Sequence, residues 1–202
     1  MARTADPALR QRILEAAQRV FEEKGFAATR MSDIATVAGV AVGSIYLHFK
    51  TKEALCGALT DGFNNRVLRE SLPLLAHPDP AQGLADAVRA ALRIFEEQRA
   101  LLSTLYLTIG FAPFVEDGHM QNSASDVAVF EALAAQIQAR IDAGDYRRYD
   151  VSTAVQLITN LIERTAVGYL SLGAGDLRAA EADLIRFIQG AMLRHPPADD
   201  AR

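Results

Sequence analysis

Apolar residues recur every three to four positions along most of the chain, and no stretch alternates with a period of two. Leu9, Ile13, Ala16, Ala17, Val20 and Phe21 form one stripe at the spacing of an amphipathic helix. Asp6 before Pro7 predicts where it starts: the carboxylate caps, and proline takes the first helical position, where its missing N–H costs nothing. Gly25 is expected to close this helix, with Phe26 tucking back onto the bundle. Ile34, Ala35 and Ala38 share a face of a second, shorter helix, for which Thr29 is the expected N-cap. Gly39 ends it, since glycine enters the left-handed conformation without steric cost. Val40 is placed to drop into the core. Ile45 and Phe49 recur at helical spacing in a third helix, which leaves Val42, Gly43, Ser44, Tyr46 and His48 facing elsewhere.

The rest of the chain continues in the same texture. Thr51 caps a long fourth helix, with Leu55, Leu59, Phe63 and Val67 stepping by four along one face and Glu53 favourable in its first turn. Pro73 ends or kinks it, and Ala76-His77-Pro78-Asp79-Pro80 reads as a linker. A fifth helix carries Leu84, Val88, Leu92 and Phe95, a sixth spans roughly 99–110, and 111–125 is irregular. In the seventh, Val127, Phe130, Leu133, Ile137 and Ile141 are expected inward, with Gly144 at its end. The segment 151–172 is apolar on two faces, one with Leu157, Leu161 and Gly168, the other with Val155, Ile158, Ile162, Ala166 and Tyr169, so it is expected to be buried on most sides. Glu163 and Arg164 beside Asn160 and Thr165 argue against a membrane span. Gly173 ends that helix, Asp176 caps the last, and Leu177, Ala180, Leu184, Phe187, Ile188 and Ala191 make its stripe. The expected class is all-α, about nine helices: a three-helix head over 1–52, a larger helical body over 53–195 and a flexible tail over 196–202.

Composition fits this picture. Half of the 202 residues are hydrophobic and 23% are charged, which suits a globular chain with a sizeable core. A single cysteine cannot form an internal bridge, and a reducing, cytoplasmic setting is expected. The opening MARTADPALRQR is charged and lacks an apolar core, so no secretory leader is expected. The net charge of −4 opposes nucleic-acid binding until the chain is divided. Residues 1–52 hold eight Lys/Arg against five acids, a balance of +3, which leaves −7 for the remainder. A basic head on an acidic body is the footprint expected of a nucleic-acid binder.

Two short helices joined by a glycine turn are the grammar of a helix-turn-helix, whose second helix enters a major groove. The residues Ile34-Ala35, Ala38-Gly39-Val40, Gly43-Ser44-Ile45-Tyr46, His48-Phe49 and Lys52-Glu53-Ala54-Leu55 fall in one continuous run. That run, AGVAVGSIYLHFKTKEAL with the preceding Ile-Ala, resembles the signature of the TetR family of bacterial transcriptional regulators. The resemblance covers about the first quarter of the chain; beyond it only length and helical texture agree. Arg30 stands where the family often has a second threonine, and Val42 where it often has a polar or basic residue.

The residues expected at DNA are Thr29, Arg30, Ser32, Val42, Gly43, Ser44, Tyr46, His48, Lys50 and Lys52. Gly43 lets backbone approach closely, Ser44 can bond a base or phosphate, and Val42 can touch a thymine methyl. Tyr46, His48 and Lys52 resemble the family's phosphate-contacting positions. The resemblance further implies a homodimer through 151–172 and 177–194, a double-stranded palindromic operator and a small-molecule effector, often apolar. Phe95, Tyr106, Phe111, Phe130, Glu163 and Tyr169 are the candidate effector-lining residues. No cofactor, metal or catalytic role is expected: His48, His77, His119 and His195 are scattered, and Cys56 is most simply a small core residue. The leading expectation is therefore a ligand-responsive repressor. The alternatives are a DNA-binding regulator without effector and, from another class, a helical lipid-binding or enzymatic module with a vestigial head.

Overall fold

The computed structural model describes residues 6–99, 102, 115, 116, 119, 120, 124–171, 173 and 175–195. Among these, eight α-helices account for most of the chain: α1 Pro7–Lys24, α2 Met31–Ala38, α3 Val42–His48, α4 Lys52–Glu70, α5 Pro80–Glu97, α6 Ala124–Ala143, α7 Val151–Ser171 and α8 Leu177–Met192. A 3-10 turn, Leu72–Ala76, precedes α5, and Val115–Glu116 pairs antiparallel with His119–Met120 in a minimal ladder. The fold is all-α with an N-terminal helix-turn-helix, as the apolar periodicity predicts. The sixth helix expected near 99–110 and the tail from 196 lie outside the described residues.

The chain divides into two compact units. The first holds residues 6–62 with the few described residues between 102 and 120; the second holds 63–99 and 124–195. The division falls within α4.

In the first unit, Asp6 accepts from Ala8 N at 3.0 Å, and Gly25, at φ 75, closes α1 by donating to Phe21 O. Ile13, Leu14, Ala16, Ala17, Val20 and Phe21 are buried on one side of α1 against Met31, Ile34, Ala35 and Ala38 of α2, Ile45, Phe49, and Leu55, Cys56 and Leu59 of α4. Val40 and Phe26 pack half-buried against this cluster. A bare α2–α3 pair has too few apolar side chains to hold itself, so α1 and the start of α4 supply the rest of the core.

In the second unit, Asp79 caps α5, accepting from Ala81 N and Gln82 N at 2.8 and 3.2 Å. The backbone of α5 comes so close to the 3-10 turn that a Cβ at Gly83 would sit 2.7 Å from Leu74 O. Asp176 caps α8 by accepting from Arg178 N at 3.0 Å. Asp150, unremarked in the sequence, caps α7 through Thr153 N and Oγ1 at 2.8 and 2.7 Å. The turn after α6 is tied to the end of α8: Tyr149 Oη donates to Ala191 O at 2.7 Å and Arg147 Nε to Leu193 O at 2.9 Å.

Four large apolar residues depart from the expected stripes, and Ala191 of the last stripe is exposed as well. Val127 and Phe130, expected inward on α6, are exposed, while Ile137 is buried. Phe187 is 67% exposed, because α8 turns Leu177, Leu184, Ile185, Ile188 and Met192 inward instead. On α7, Ala154, Val155, Ile158, Ala166 and Val167 are buried, but Leu157 is 66% exposed, so this helix is not covered on most sides within one chain.

Candidate nucleic-acid interface

The α2 and α3 axes meet at 103°, within the range of helix-turn-helix pairs. Gly39 makes the corner, at φ 65 and ψ 40, and Val40 N donates to Ala35 O at 3.0 Å. Ile45 and Phe49 anchor α3 to the core on one side. On the opposite side Val42, Gly43, Tyr46 and Leu47 are exposed, and Ser44 and His48 are half-buried at its flanks.

The start of α2 differs from expectation. Thr29 is buried, and its hydroxyl donates to Gly25 O at 2.7 Å, so it neither caps α2 nor reaches the surface. Arg30 occupies the N-cap, and its backbone N–H donates to the Asp33 carboxylate at 3.0 Å. That bond, with Lys24 Nζ at 3.2 Å, holds the Asp33 carboxyl below its ordinary range. The Arg30 guanidinium is left at the surface beside exposed Ser32.

The two lysines after α3 also separate. Lys50 is exposed and donates from Nζ to Tyr46 O at 2.8 Å, placing a cation at the carbonyl end of α3 where the helix dipole favours it. Lys52 instead turns toward the end of α1: Nζ donates to Phe26 O at 2.8 Å and Ala27 O at 3.4 Å and lies 4.6 Å from the centre of the Phe26 ring. It clasps the start of α4 to the α1–α2 turn, which changes its expected role as a free phosphate anchor. Arg10 lies over the Phe49 ring, 5.1 Å from its centre.

Of the effector-lining candidates, Phe95 is buried on α5, edge-on to Phe63 with ring centres 4.9 Å apart. Phe130 is exposed, Glu163 and Tyr169 are half-buried on α7, and Tyr106 and Phe111 lie outside the described residues. A cleft of about 250 Å³ by the α6–α7 turn, lined by Tyr146, Arg148 and Arg194 among others, includes none of the six. Cys56 is buried, and burial pushes its thiol up to about 12. No group of three or more His, Cys, Asp or Glu among the described residues is arranged to hold a metal.

Residues 13–59 match the model of the family described as bacterial regulatory proteins, tetR family. That stretch is a TetR-type DNA-binding head. The head spans α1 to the first turns of α4, and the chain is a DNA-binding transcriptional regulator. It is 28% identical over 199 residues, 96% of both chains, to the uncharacterized HTH-type transcriptional regulator YdgC of Bacillus subtilis. It is also 28% identical over 165 residues, 76% of both chains, to the HTH-type transcriptional repressor BepR of Brucella suis. Its fold is shared with the regulator FadR of Bacillus subtilis, solved in complex with stearoyl-CoA, at a TM-score of 0.71 and 21% identity over 88% of this chain and 96% of that one.

Leu47 had no assigned part in the sequence reading, although it is the most exposed large side chain of this TetR-type reading helix, at 70%. Its signal was present: it falls outside the Ile45–Phe49 face and between two residues singled out for polar chemistry.

Proposed function

We propose that this chain is a homodimeric, ligand-responsive repressor that binds a palindromic operator in the cytoplasm. The observation that carries the DNA half of this reading is the α2–α3 pair at 103°, with an outward α3 face flanked by Arg30 and Lys50. In this reading Val42, Gly43, Ser44 and Tyr46 meet the major groove, while Arg30, Ser32, His48 and Lys50 fix register on phosphates. Thr29 leaves the contact set because it is buried, and Lys52 acts by holding the head together.

Dimerisation is supported by Leu157 on α7 and Phe187 on α8, each about two-thirds exposed in the single chain. Large apolar side chains standing out from two neighbouring helices suit a four-helix interface about a two-fold axis. Such a dimer presents two heads to half-sites about 34–36 Å apart or a multiple of that. A ligand response is supported by the repressor and the acyl-CoA-bound regulator this chain resembles. Ligand in the second unit would act through α4, which begins in the first unit and ends in the second. No single described helix is long and apolar enough to cross a membrane.

Footprinting on the DNA flanking the protein's own gene tests this reading. The expected result is a two-fold symmetric protected site with half-sites about one helical turn apart or a multiple, released by an apolar metabolite. Protection of a single asymmetric half-site would contradict the dimer.

A further inference from the structure

Side chains that read base edges by paired hydrogen bonds in the major groove are arginine or lysine at guanine, asparagine or glutamine at adenine, and a carboxylate at cytosine. Helix α3, VGSIYLH, has none of them. Its outward side consists of Val42 at 37% exposure, Gly43, Tyr46 at 43% and Leu47 at 70%, entered from exposed Ala41. Val42 and Tyr46 are one helical turn apart, as are Gly43 and Leu47, so the exposed groups form two adjacent rows, with Val42 and Leu47 at the two edges of a surface about 140° wide. The hydrogen-bonding groups of Ser44 and His48 sit half-buried at the edge of that face.

The apolar surface of α3 sits in a cationic setting. Lys50 holds its charge at the carbonyl end of the helix, and Arg30 stands exposed at the start of α2. An apolar strip bounded by cations complements a polyanion that carries apolar groups on its inner face. The major groove of duplex DNA is such a surface: phosphates line it, and each thymine projects a C5-methyl into it.

Resting on the DNA-binding reading above, we infer that the head recognises its half-site through thymine C5-methyl groups packed against Leu47 and Val42. Tyr46 adds its ring edge and one hydroxyl to the same strip. The operator half-site is then thymine-bearing at the positions facing these two side chains, and hydrogen-bond readout contributes little of the sequence preference. Leu47 and Val42 are specificity-determining residues of this surface.

The test separates the methyl from every other property of the base. The full-length protein selects duplexes from a random-sequence pool, and the selected site is resynthesised with deoxyuridine replacing thymine, one position at a time. Deoxyuridine keeps the hydrogen-bond pattern and loses only the methyl. One or two positions per half-site are expected to lose roughly fourfold in affinity for each methyl removed, the transfer value of one buried carbon. In the Leu47→Ala protein, one of those positions becomes indifferent to the replacement, while the salt dependence of binding stays unchanged because no phosphate contact is lost. A selected site that binds with unaltered affinity when every thymine is replaced overturns the inference and leaves the DNA-binding reading standing. A pool from which no duplex is enriched overturns that reading, and the inference with it.

Discussion

Lys52 shows how one residue's position in the sequence and its position in space can suggest different tasks. Its place in the motif suggests a phosphate anchor, yet its ammonium bonds two backbone carbonyls twenty-five and twenty-six residues earlier. Such a partner is invisible to local pattern, since nothing near Lys52 announces the α1–α2 turn. Lys52→Met should therefore lower the unfolding free energy by about 1.5–3 kcal/mol, the worth of hydrogen bonds to a charged donor, measured by urea unfolding. Arg30→Ala should leave stability intact and reduce the slope of log affinity against log salt by about one phosphate contact. The caps at Asp6, Thr51 and Asp176 were legible because an acceptor stands directly before an apolar run. The start of α2 was not, because Thr29 offers the side-chain acceptor and Arg30 does not, whereas the position is held by the Asp33 carboxylate accepting from Arg30 N. Cys56 was legible as a core residue. With its thiol raised to about 12, it should resist alkylation at pH 8 in the folded protein and react only once the head is unfolded, as read by mass spectrometry.

At the scale of elements, helical periodicity gave the existence and order of the described helices, while the choice of face was less secure. Phe187 lies on α8 about 110° from the centre of the buried residues, judged at 100° per residue, and an apolar helix with two possible stripes does not say which one its own chain covers. The four charges joining α4 to α5 were equally hidden. Arg66 bonds Glu70 at 2.9 Å and Glu97 at 2.6 Å, and Arg93 reaches the same two carboxylates at 3.1 and 3.5 Å, closing a ring. The hydrogen bonds from Arg66 are the main reason both carboxyls are held below their ordinary value of 4.5. Carboxyls that bind protons less readily when folded add stability above pH 4.5 and lose it as pH falls through their lower folded values. Amide protection in the second half of α4, taken relative to the intrinsic exchange rate at each pH, should therefore fall below pH 4.5 and in high salt, and Glu97→Gln should remove part of that sensitivity. Gly83 sets a second constraint on α5. Alanine there pushes a methyl into Leu74 O and should cost about 1–3 kcal/mol in thermal or urea unfolding.

For the molecule as a whole, the sequence signalled a reading head through its charge balance and a continuous motif, because both depend on residues close together in the chain. The proposed interface was suggested by surplus apolar faces on 151–172 and 177–194 together with the family resemblance, and the exposed Leu157 and Phe187 support that proposal. Phe187→Asp should yield a monomer by sedimentation velocity, with its helical content retained and operator affinity strongly reduced, because two half-sites no longer act together.

If the α2–α3 head reads base sequence, the intact protein distinguishes one duplex from another of the same composition. Fluorescence anisotropy of the full-length protein, with the duplex from its own promoter region and with a scrambled duplex of equal composition, tests it most directly between 50 and 200 mM salt. The promoter duplex is expected to bind at least about a thousandfold tighter than the scrambled one, with affinity falling steeply as salt rises. Equal affinity for the two duplexes across that range would contradict it.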